Sequence, residues 1–205
     1  MDSGITLPKV VLASQSPRRL QLLRMIGIEP EVRVTNIPEV RAAGEAPTDY
    51  VMRLAREKAA AIGTVPGKVV VAADTTVVLD APAGPLVLEK PQSAEEAQAM
   101  LRQLSGRTHW VHTGFQLLAE GWSEEGVESA RVHFHAISEE EILAYVATGE
   151  PMDKAGAYAI QGLAARFVRG LEGCYYNVMG LPVSRIYQLL KAKGESRTSW
   201  PSATG

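Results

Sequence analysis

The sequence contains a single cysteine, Cys174, in 205 residues. An intramolecular disulfide is therefore excluded and a cysteine-based metal centre disfavoured. Scarce thiols also fit a reducing compartment. No stretch reaches the ~18–20 consecutive apolar residues that a membrane-spanning helix needs. The opening residues, Met1 to Pro8, carry neither the basic nor the apolar region of a secretory leader, so the cytoplasm is the expected location. Net charge is only −2, which gives no electrostatic ground for a nucleic-acid partner. Familiar phosphate and hydrolase signatures are missing too. Gly63-Thr64-Val65-Pro66-Gly67-Lys68-Val69 is one residue short of a P-loop between its glycines, and Val69 stands where Ser or Thr would hold magnesium. No G-x-G-x-x-G follows a strand, and no G-x-S-x-G marks a nucleophile elbow.

What is present suits one soluble α/β domain, with 46% of residues apolar and 21% charged. An apolar run at Lys9 to Ala13 reads as a buried strand. A helix follows, with Ser16 as N-cap, Pro17 in its first turn and Gly27 at its end. A second strand is expected over Glu31 to Thr35, then a polar loop to Pro47 and a strong helix from Thr48 to Ile62. Val69 to Asp74 is an apolar strand ending in a carboxylate, with Thr75 to Leu79 continuing it or pairing with it. Ser93 with Glu96 and Ser138 with Glu141 predict capping boxes for two more helices. Two long strands, Thr108 to Ala119 and Val127 to Ala136, are expected around a Gly- and Glu-rich turn. The last helix covers Leu181 to Lys193. The expected architecture is a mixed twisted sheet with flanking helices, two lobes around a deep cleft, spanning residues 8–193. Residues 194–205 are expected to be a disordered tail.

Three local features sit where simple patterning would not put them. Arg18 and Arg19 occupy the opening turn of a helix, against its dipole, and Arg19 projects toward the Leu22, Leu23 and Ile26 face. An anion bound there with Ser14 and Ser16 would account for both; two snorkelling arginines are the alternative. Lys58 falls in the middle of the stripe formed by Val51, Leu54, Ala55, Ala59 and Ile62. It either snorkels or faces an anion in a cleft. Asp74, closing an apolar strand, suits a metal ligand or general base, or else caps a turn. His133 and His135 share a strand face but lack a third metal ligand. Tyr175, Tyr176 and Trp110 suit packing better than base stacking.

Taken together these features resemble the Maf family. Leu12-Ala13-Ser14-Gln15-Ser16-Pro17-Arg18-Arg19 is similar to its S-x-S-P-R-R opening. Arg56-Glu57-Lys58, Ala73-Asp74-Thr75, Glu89-Lys90-Pro91, Leu104-Ser105-Gly106-Arg107, the block from Asp153 to Gly162 and Val178-Met179-Gly180-Leu181-Pro182 follow in family order. The resemblance implies hydrolysis of nucleoside triphosphates to monophosphate and pyrophosphate with Mg²⁺ or Mn²⁺, by an enzyme that is often a homodimer. It implies Asp74 as proton acceptor, with Ser14, Arg18, Arg19, Lys58 and Lys90 around the phosphates. Glu39 joins Asp74 at the metal. Arg18, Thr75 and Gln161 correspond to selectivity positions of the dTTP/UTP branch, whereas a sister branch acts on 7-methyl-GTP. A nucleotide-binding regulator of cell division with incidental hydrolysis is the competing expectation. A nucleic-acid-binding role is disfavoured by the charge balance.

Overall fold

The computed structural model describes residues 7–82 and 84–196. The chain begins with β1 (Lys9–Leu12), α1 (Pro17–Met25), β2 (Glu31–Val32), α2 (Pro47–Ile62) and β3 (Lys68–Leu79). It continues with β4 (Leu86–Leu88), α3 (Ala94–Leu104), β5 (Thr108–Ala119), β6 (Trp122–Phe134) and α4 (Glu139–Val146). Three short 3-10 turns, Glu150–Asp153, Ala155–Ala157 and Leu163–Phe167, lead to β7 (Val168–Glu172), α5 (Tyr175–Met179) and α6 (Val183–Ser196). From residue 197 the expected tail lies outside the described residues.

All seven strands form one mixed sheet, ordered β2-β1-β3-β5-β6-β7, with β4 also pairing to β3. The β1–β2 and β1–β3 pairs are parallel and the others antiparallel. Side chains alternate across β3 because a strand has a two-residue period. Val69, Val71 and Ala73 pack with Leu22, Leu23, Ile186 and Leu190 from α1 and α6. Further along the same face, Val77 and Leu79 enter a second core with Leu101, Ile142, Tyr145 and Phe134. On the opposite face, Val70 and Ala72 meet Ala59 of α2. Each fully buried leucine here contributes about 2 kcal/mol of transfer free energy. Thr75 lies between the first two cores, where the lobes divide.

Of the two sequence-based alternatives for Thr75 to Leu79, continuation holds, so Asp74 is not a strand end. β3 continues through Asp74 to Leu79, and it is the neighbouring strand that stops. β1 pairs with β3 only as far as Val71, and β4 begins to pair at Val77. The β3 edge is left open between them, and Asp74 sits in the opening.

Two further differences have local causes. The expected turn between the long strands shrinks to Glu120-Gly121, because Ala119 already pairs with Trp122 and Gly121 takes φ 69°. Ser123, Glu124 and Glu125 look turn-like in sequence, yet their backbones pair with β5 while their side chains face water. Arg56 of α2 also pairs with Glu125. The Ser138–Glu141 box forms as expected. At α3, Ser93 caps the Glu96 N–H, but the Glu96 carboxylate accepts from Gln92 N–H instead of completing a box.

Candidate active site

Opposite Asp74 on β5 stands Gly114. A Cβ there would lie 2.5 Å from the Val51 carbonyl carbon and 2.7 Å from the Met52 nitrogen. The absent side chain thus lets α2 settle directly on the sheet. Seven residues beyond Val51, two helical turns on, α2 presents Lys58 to the β3 opening. Its ammonium lies 2.6 Å from Asp74 Oδ1 and 2.6 Å from Glu39 Oε1. Lys58 is 6% exposed and Asp74 8%. Lys58 is thus buried in the cleft lining, with two carboxylates as its partners, and does not snorkel into solvent.

Glu39 enters from the loop before α2. Tyr50 donates its hydroxyl to the Glu39 carbonyl at 3.2 Å, and Lys90 Nζ stands 3.2 Å from Glu39 Oε2. Burial pushes the Asp74 carboxyl above the usual aspartate range, with Lys58 and Arg19 only partly opposing it. Glu39 goes the other way: burial raises it, but the Lys58 hydrogen bond and the charges of Lys58 and Lys90 outweigh burial. One carboxylate of the pair is thereby the better base and the other the more firmly ionised.

Across the cleft, Arg19 is 9% exposed. Its Nε donates to the Gly180 carbonyl at 2.8 Å, Nη1 to Ser14 Oγ at 3.2 Å and Nη2 to Thr75 Oγ1 at 3.2 Å. Thr113 donates to the Asn177 carbonyl at 3.0 Å and sits 2.9 Å from Thr75 Oγ1. The proton order is then fixed: Thr75 accepts from Arg19 and donates to Thr113. Every acceptor of Arg19 is neutral, and among the described residues it forms no ion pair. Burial lowers its pKa, partly offset by the field of Asp74. A buried guanidinium that lacks a counter-ion favours an anion in the adjoining cleft. Ser16 is the N-cap of α1 by position, but its hydroxyl makes no capping bond.

The cleft encloses about 560 Å³, and Ser14, Arg18, Arg19, Glu39, Lys58, Asp74, Thr75, Lys90 and Gln161 all line it. Arg18 turns away from Arg19 toward Asp153, with Nη1 3.3 Å from Oδ2. Tyr50, Glu89 and Lys154 also line the cleft and were not singled out in sequence. Tyr50 lies on the apolar stripe of α2 and is indistinguishable there from a core residue. The bland reading of His133 holds, since it is bonded to Glu172 and Thr108, at 2.8 Å each.

The site blocks are thus dispersed in sequence but convergent in space. Residues 9–193 match the family model described as Maf-like protein. A dTTP/UTP pyrophosphatase of Koribacter versatilis is 48% identical over 90% of this chain and 94% of its own. Another from Myxococcus xanthus is 50% identical over 95% of this chain and 96% of its own. The solved Staphylococcus aureus Ham1 protein is a distant neighbour, 14% identical with TM-score 0.47, covering 92% of this chain and 99% of that one. With the family match running from the first strand into the last helix and taking in every residue of the cleft, the chain belongs to the Maf family.

Proposed function

We propose that this chain hydrolyses nucleoside triphosphates between the α- and β-phosphates, preferring dTTP and UTP, as the names of its relatives state for them. The observation that carries the reading is the charge layout of one cleft: a buried guanidinium, without an ion pair among the described residues, faces a buried carboxylate raised toward a base. Arg19 and Ser14 hold phosphate oxygens, and Lys90 and Arg18 approach from the rim. Asp74 takes a proton from the water whose oxygen attacks the α-phosphorus. The bond from that phosphorus to the bridging oxygen breaks, and pyrophosphate leaves with the electron pair. Lys58 offsets the burial of Asp74 and keeps a working fraction of it ionised.

A divalent cation, Mg²⁺ or Mn²⁺, belongs to this reading. Asp74 and Glu39 bring two hard carboxylate oxygens to one place, now bridged by the Lys58 ammonium, and are the residues that would hold such an ion. When bound, it would neutralise phosphate charge and polarise the α-phosphorus.

Base preference is assigned to Thr75 and Gln161, together with Arg18. A glutamine amide offers a donor and an acceptor to a pyrimidine edge. A homodimer is carried over from the resemblance and a cytoplasmic location from the reading of the sequence; light scattering tests the first. No helix among the described residues is long and apolar enough to cross a membrane.

The test is pyrophosphate release from dTTP, UTP, CTP, GTP and 7-methyl-GTP with Mg²⁺ and with Mn²⁺. A pyrimidine preference of about tenfold or more is expected if a buried polar contact discriminates. Preference for 7-methyl-GTP overturns the base assignment, and tight binding without turnover favours the regulator.

A further inference from the structure

We propose that Glu150 is a positioning residue for base selection, fixing through its carboxylate the turn that carries Gln161. The inference rests on the reading of Gln161 as a base-contacting residue. Gly162 N–H donates to the Ala159 carbonyl at 3.0 Å, which puts Gln161 third in a four-residue turn. Core packing holds the first half of this turn, where Ala159 and Ile160 are buried, but not the second: Gln161 is exposed and Leu163, just beyond it, is an exposed large apolar residue.

Glu150 restrains that exposed second half. Its Oε2 accepts the Leu163 N–H at 3.0 Å, and its Oε1 accepts the Tyr145 hydroxyl at 2.8 Å. Tyr145 is fully buried in the core shared by α3 and α4, so the carboxylate is referred to a rigid body. The carboxyl group lies over Gly162, where an added Cβ would stand 2.6 Å from its carbon. Glycine beside Gln161 leaves the space that the carboxylate fills, and a Cβ there would push that side chain aside, even though the φ of −101° is ordinary. Lys154 Nζ donates to Glu150's own carbonyl at 2.7 Å, tying the start of the segment. At the other side of the turn, Tyr158 and His109 share a buried hydrogen bond of 2.8 Å between Oη and Nε2. The turn is thus bracketed on both sides, and only the Glu150 bracket is a charged group accepting at the turn itself. Hydrogen bonds to an ionised acceptor are about twice as strong as neutral ones.

Loss of this restraint should blur base recognition and leave phosphate chemistry in place. A displacement of about 1 Å at a positioning contact costs up to ~10²-fold. The experiment measures kcat and KM for UTP and GTP in wild type, Glu150→Ala, Gln161→Ala and the double variant, with Leu163 amide hydrogen exchange. In Glu150→Ala, the UTP-over-GTP preference should fall about tenfold, mainly through KM for UTP. Leu163 should exchange faster, and the double variant should discriminate no worse than either single one. Glu150→Gln, which keeps one acceptor oxygen, should fall between wild type and Glu150→Ala, and it replaces the alanine variant if that fails to fold. A merely structural role would lower both substrates equally, and that result overturns the proposal, as does unchanged Leu163 exchange. If Gln161→Ala keeps the full preference, the base reading itself is wrong. If Gln161→Ala loses it and Glu150→Ala does not, only the Glu150 proposal falls.

Discussion

Replacing Lys58 by methionine isolates the charge at the centre of the cleft. Methionine keeps most of the apolar stem that packs along α2, so the cavity term is small. The lost groups are the two ion-pair contacts at 2.6 Å, to Asp74 and to Glu39. Glu39 is partly exposed, so water and Lys90 cover its loss. Asp74 has no such recourse. Leaving a buried carboxylate without its partner costs about 3–5 kcal/mol if it stays ionised. It will instead take up a proton, which caps the cost and moves the cost along the pH axis.

The sign follows from Asp74 having a folded pKa above its unfolded value, already in the wild type. Stability from the protonated form is complete below the unfolded pKa and is lost as pH rises through the folded one. Lys58→Met raises the folded value further, so the window widens toward neutrality. Its melting temperature should lie within a few degrees of wild type at pH 5. At pH 8 it should fall by roughly 6–12 °C, taking the lower cost of about 3 kcal/mol and ~2–4 °C per kcal/mol for a chain of this size. The acid limb of kcat/KM should move up by at least about one pH unit, equivalent to ~1.4 kcal/mol. Thermal melts at pH 5, 6, 7 and 8, with a pH–rate profile, test both. A melting penalty that is flat across that range, with an unmoved acid limb, refutes the electrostatic account of Lys58.

Asp74→Asn should lower kcat by ~10²–10⁴ while the fold holds at neutral pH, because Lys58 keeps Glu39 as its partner. A folded variant with more than about a tenth of wild-type kcat shows that Asp74 is neither base nor ligand. In the wild type, the acid limb should lie above the usual aspartate range, and a limb at or below it contradicts the burial argument. Gly114→Ala should push α2 off the sheet and cost at least ~1–3 kcal/mol as an overpacked site. Activity at a permissive temperature should fall with it, since α2 carries Lys58; normal melting and turnover would show that the close approach is dispensable.

Much of the fold was legible from local physics. Apolar runs gave β1 and the start of β3, and Gly27, Gly63 and the Ser138–Glu141 box set helix ends within a residue or two. Arg19, Lys58 and Asp74 stood out because each contradicts the apolar pattern around it, and all three line the cleft. A residue that breaks its own element's pattern is costly wherever it is buried, so the anomaly is visible without coordinates. Elements with weak patterns escaped: two-residue β2 is shorter than expected, the polar start of β6 reads as a turn, and β4, β7 and α5 have no signal of their own.

Which partner each unusual residue meets was decided only by tertiary structure. Nothing local tells that β1 stops pairing at Val71 and β4 starts at Val77, yet that gap makes Asp74 a cleft residue in mid-strand. Nor does sequence spacing bring Lys58 between Glu39 and Asp74, or lay Glu150 across Gly162. By itself the sequence determined which charges are too costly to bury unaided, because that depends on side-chain chemistry and helical or strand period. The tertiary structure alone decided how those charges are compensated, because pairing depends on distances set by strand order and by one missing side chain at Gly114.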